Sequence, residues 1–92
     1  MSYKLEFSKI ALEDIEKHKK SGDKATLKKI QKLLNELMEH PTKGTGQPEK
    51  LKHNLQGLYS LRINKKHRLV YSIKEEIITV YVLSAHSHYG DK

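Results

Sequence analysis

Three strand-like runs stand almost end to end in the C-terminal half: Leu58–Ile63, Arg68–Ile73 and Ile77–Ala85. Spacers this short cannot carry the crossover that a parallel pair needs, so the runs must form an antiparallel meander. The last run, Ile77-Ile78-Thr79-Val80-Tyr81-Val82-Leu83, is apolar on both faces. That pattern predicts a central strand covered by helices on one side.

Upstream, Tyr3-Lys4-Leu5-Glu6-Phe7 alternates and reads as a half-buried strand. Ser8 suits an N-cap, and Ile10, Ala11, Leu12 and Ile15 predict a short amphipathic helix. Gly22 suits the position after its end, and Asp23 can cap the next helix. There Leu27, Ile30, Leu33, Leu34, Leu37 and Met38 recur at helical spacing, Met38 as core filling, until Pro41 stops the run. The predicted order is β-α-α-β-β-β. The expected class is α+β, two helices packed against an antiparallel sheet. Ninety-two residues make one domain, 1–92.

Parity places the charges. Tyr59, Leu61 and Ile63 are the apolar set of one strand, and Leu69, Tyr71 and Ile73 that of the next. If both sets face the helices, a three-residue loop at Asn64–Lys66 puts Leu61 opposite Leu69 and Arg62 opposite Arg68. Like charges directly opposite cost up to about 1 kcal/mol. Such a pair points to an anion between the arginines, or to a carboxylate for each, with Glu49, Glu75 and Glu76 available.

Eighteen Lys+Arg stand against 11 Asp+Glu, a net charge of +7. The expected partners are therefore acidic: nucleic acid, an acidic protein, or both. No cysteine is present, which excludes thiolate chemistry and disulfides. No apolar run approaches the roughly 20 residues of a membrane span, and no signal peptide is visible, so the chain reads as cytoplasmic. His86-x-His88 lacks any Cys or suitably spaced acid, so no metal site and no cofactor is read from the sequence.

The run from Gly44 to Gly57, rich in turn residues, holds Glu49 among Lys50, Lys52 and His53. Arg62, Arg68 and a terminal His88-Tyr89 follow. These types suit metal-independent cleavage of RNA. One group takes the 2′-OH proton, another protonates the leaving 5′-oxygen, and cations stabilise the phosphorane. Glu49 is the candidate base, and His88, which titrates near neutrality, the candidate acid.

Gly44-x-Gly46-x-Pro48-Glu49-x-Leu51-Lys52-His53-Asn54-Leu55-x-Gly57, then Ser60-x-Arg62-Ile63, His67-Arg68-Leu69-Val70-Tyr71 and His88-Tyr89, closely resemble the YoeB (Txe/YoeB) toxins. These are RelE-like toxins of bacterial type II toxin–antitoxin modules. The resemblance spans essentially the whole chain. It implies the microbial-ribonuclease-like RelE fold and cleavage of mRNA in the ribosomal A site, which blocks translation. It further implies that Glu49 is the general base, His88 the general acid and Arg68 the stabiliser of the transition state. Lys52, Arg62 and Tyr89 are implied to bind the substrate and its phosphate, and His53 matches a family position without an assigned role. The implied partners are an acidic YefM-like antitoxin, the ribosome with its mRNA, operator DNA only through the antitoxin, and a second copy in a homodimer. The alternative is a non-catalytic RNA- or antitoxin-binding module of the same fold. Three features depart from the family pattern: Leu61 replaces the first of two arginines, Tyr59 stands where Trp is common, and Gly90-Asp91-Lys92 follow the His-Tyr pair.

Overall fold

The computed structural model describes residues 2–41, 48–50 and 57–86. Strand β1 (Lys4–Phe7) leads into helices α1 (Lys9–Lys20) and α2 (Lys24–Glu39). Then come β2 (Glu49–Lys50), β3 (Leu58–Arg62), β4 (Arg68–Lys74), a 3-10 turn (Glu75–Ile77) and β5 (Thr79–Ser84). The sheet order is β1-β5-β4-β3-β2. The α+β class and the meander are as expected. Two details are additional. β1 pairs with β5 in parallel, which the long path through both helices permits. β2 adds an edge strand beside β3, too short to show any periodicity.

The helix boundaries follow local chemistry. Ser8 Oγ accepts from the Ala11 amide at 3.0 Å and donates to the Leu83 carbonyl at 2.7 Å, so one side chain caps α1 and seats it on β5. Gly22 adopts φ 75°, the left-handed conformation that glycine takes without strain. Asp23 caps α2 through Thr26, whose amide donates to Oδ1 at 3.0 Å and whose hydroxyl donates to Oδ2 at 2.6 Å. α2 stops at Glu39, ahead of Pro41.

The core joins Leu61, Ile63, Leu69, Tyr71, Val80, Val82 and Ala85 of the sheet side to Ala11, Ile30, Leu33 and Leu37 of the helices. α1 turns inward differently from its apolar pattern. Ala11, Asp14 and His18 are buried, whereas Ile10 and Leu12 are more than half exposed. The buried stripe follows the i, i+3, i+7 spacing from Ala11, and Ile10 and Leu12 flank it on either side. Met38, expected as core filling, is only half-buried. The run from Ile77 begins as a turn, not a strand: Ile77 is exposed and Ile78 takes φ 47°.

The β4–β5 register slips between Val70 and Tyr71: Tyr71 pairs with Val82 but Val70 with Ser84. Leu83 is the extra residue of a bulge, which switches the parity of β5. Ala85 thereby enters the core beside Val82. The bulge lies outside the β3–β4 pair and leaves the arginines in place.

Candidate active site

The β3–β4 hairpin closes as parity requires, with Leu61 opposite Leu69 and Arg62 opposite Arg68. Leu61, Ile63, Leu69 and Tyr71 are buried against the helices. Arg62 and Arg68 therefore project from the other face, with Ser60 between Glu49 of β2 and Val70 of β4 on the same row.

The loop that sets this register is tied down. Asn64 Oδ1 accepts from the amides of Lys66 at 2.9 Å and His67 at 2.8 Å, an Asx-type turn. Asn64 Nδ2 donates to Thr26 Oγ1 at 3.1 Å. Asp23, Thr26 and Asn64 thus form a relay from the start of α2 to the residue before Arg68.

Arg68 reaches Ser60 of β3 and Glu49 of β2. One guanidinium nitrogen donates to Ser60 Oγ at 2.8 Å and lies 3.5 Å from Glu49 Oε1. The Arg68 side chain is 22% exposed and that of Glu49 66%. An ion pair this open contributes no more than about 1 kcal/mol to stability. Its consequence is positional: a guanidinium fixed on the sheet stands beside a carboxylate open to solvent. Arg68 has thus found a carboxylate, while Arg62 is exposed.

Of the expected site residues, the fold brings together Glu49 and Arg68 and places Arg62 on the same face. Lys52, His53, His88 and Tyr89 lie outside the described residues, as do Gly44, Gly46, Leu51 and Leu55. Ser60 received no role from the sequence. Its signal was available, because position 60 shares the parity of Arg62 and Arg68. Tyr71 was also missed as a support: its hydroxyl donates to the Pro41 carbonyl at 2.5 Å, and its ring stacks on Tyr59 at 5.5 Å. It ties β4 to Pro41, just past the end of α2.

Two helices packed on one face of a small, mostly antiparallel sheet are also the architecture of solved bacterial toxins. The YoeB/ParE toxin from Agrobacterium tumefaciens superposes with a TM-score of 0.87 at 30% identity, over 94% of this chain and 99% of that one. YoeB of Staphylococcus aureus superposes as a dimer (TM-score 0.82, 39% identity) and in the YoeB–YefM complex (0.80, 38%). Each match covers 97% of this chain and all of the other. Toxin YoeB of Escherichia coli K12 is 41% identical over 64 residues, 70% of this chain and 76% of that protein. A family model for YoeB-like toxins of bacterial type II toxin–antitoxin systems matches residues 7–89. The chain belongs to that family.

Proposed function

We propose that the protein is a ribosome-dependent endoribonuclease that cuts mRNA in the A site and thereby inhibits translation. The observation that carries this reading is the Glu49–Arg68–Ser60 cluster, an accessible carboxylate beside a positioned guanidinium. Glu49 removes the proton from a ribose 2′-OH. The 2′-oxygen attacks the adjacent phosphorus, and the bond to the 5′-oxygen breaks. His88 protonates that oxygen, leaving a 2′,3′-cyclic phosphate and a free 5′-OH. Arg68 neutralises charge on the phosphorane, where preorganised donors contribute most. Lys52, Arg62 and Tyr89 hold the RNA and its phosphates. No metal or cofactor enters these steps.

An acidic YefM-like antitoxin is the expected inhibitor, in keeping with the basic surface and with the complex formed by the S. aureus relative. The dimer of that relative favours a homodimer here. No helix among the described residues is long and apolar enough to cross a membrane. A cytoplasmic location, where the ribosome and its mRNA are found, fits this function.

Inducible expression tests the reading. Glu49→Ala and His88→Ala should each relieve the growth arrest caused by the parent while remaining folded and able to bind the antitoxin. Full toxicity in both folded variants would refute the assignment.

A further inference from the structure

Beyond the acid–arginine cluster, the described residues hold a second convergence of reactive side chains. His18 from α1, His67 at the entry to β4 and His86 just past β5 bring three imidazoles together. The ring centroids lie 4.7 Å (His18–His67), 5.0 Å (His18–His86) and 4.4 Å (His67–His86) apart. A ring nitrogen of each lies within 4.8 Å of those of the others. Three tetrahedral ligands at the usual metal–nitrogen distance of about 2.0–2.1 Å sit about 3.3 Å from one another, so small ring rotations would close the site.

We propose that His18, His67 and His86 form a three-histidine site for a late first-row divalent cation, Zn2+ foremost. Imidazole suits zinc, copper, nickel and cobalt, and three protein ligands leave a fourth position for water.

The surroundings are those of a built site. His18 is 3% exposed, and its Nε2 donates to the Ala85 carbonyl at 2.8 Å. In a neutral ring that bond leaves the lone pair on Nδ1, the arrangement that orients metal-bound histidines. One helical turn earlier, buried Asp14 accepts from the Ala85 amide at 2.9 Å and fixes the chain entering His86. The Asn64 turn holds the backbone of His67. Burial, followed by the neighbouring histidines, lowers the pKa of His67 and of His86. That shift favours the neutral imidazole, the form that ligates. The site is separate from Glu49 and Arg68: His67 turns to α1 while Arg68 turns to the opposite face. A bound cation would clasp α1, the β3–β4 loop and the chain after β5, three elements that meet only in the folded state. The proposal stands whether or not the protein is a nuclease.

The test uses the untagged full chain, stripped with chelator and titrated with Co2+ near neutral pH, then with Zn2+. The expected result is one saturable equivalent, with visible bands of tetrahedral intensity that Zn2+ abolishes, and a higher melting temperature. His67→Gln and His86→Gln should each weaken binding at least about tenfold while keeping the parental circular dichroism. His40→Gln, at an exposed position, should bind as the parent does. Absence of saturable binding would overturn the proposal. So would weak octahedral bands, or binding that survives His67→Gln and fails in His88→Gln, which would place the ion elsewhere.

Discussion

Arg68 illustrates how one side chain is fixed by its neighbours rather than by its own preferences. Facing Arg62 across the hairpin, it is repelled on one side and drawn on the other by Ser60 Oγ and Glu49. Loss of a positioned donor to a developing oxyanion costs about 10²–10³ in rate, and Arg68→Ala should lower cleavage on the ribosome by that much. Arg68→Lys should recover little of it, because an ammonium lacks the planar fork. Ser60→Ala removes only the support and should cost less, near tenfold, with antitoxin binding unchanged. Cleavage rates measured on translating ribosomes check this order, and a Ser60→Ala defect as deep as that of Arg68→Ala would contradict it. The placement of both arginines was legible in the sequence, because apolar residues at every odd position leave a single parity for the charges. The contact with Glu49 was open, since a carboxylate in a long loop has no register until β2 pairs with β3.

Between elements, the tie that matters most for the site is Tyr71. It is fully buried, and its hydroxyl joins β4 to the carbonyl of Pro41, 30 residues away. Tyr71→Phe leaves that carbonyl without this donor and should cost about 1–3 kcal/mol, read as a shifted urea midpoint. Burial first, then Tyr59, pushes the Tyr71 phenol above its ordinary value. The unfolded chain ionises near pH 10 while the folded chain stays neutral, so stability is intact below that pH and falls above it. In Tyr71→Phe this alkaline loss should shrink. An unchanged alkaline profile would show that the hydroxyl is not buried in solution. The helix boundaries were readable locally, from Ser8, Gly22, Asp23 and Pro41, and the meander from its short spacers, whereas the parallel β1–β5 pair and the edge strand β2 were not. Nor was the inward face of α1, because its buried members Asp14 and His18 are polar and take meaning only from Ala85. The bulge at Leu83 was equally hidden, as an unbroken apolar run carries no mark of where its parity switches.

At the scale of the whole molecule, one sheet keeps two kinds of chemistry apart. The face toward the helices carries the core and, at its end, His18, His67 and His86; the opposite face carries Glu49, Arg62 and Arg68. The second group was visible as a sequence motif because its members lie within 20 positions of one another. The histidines come from three distant segments, and no spacing announces them. The net charge of +7 covers a molecule of 12.3 Å radius of gyration, a density that suits the acidic partners proposed for it. The central claim is that this charge serves a cutting reaction and not binding alone. Primer extension on a translated mRNA tests it most directly, after induction of the wild type beside a Glu49→Ala/His88→Ala double variant. The account predicts new 5′ ends at A-site codons in the wild type and none in the variant. Intact mRNA in both, with each protein folded and bound to ribosomes, would contradict it and leave a binding module of the same fold.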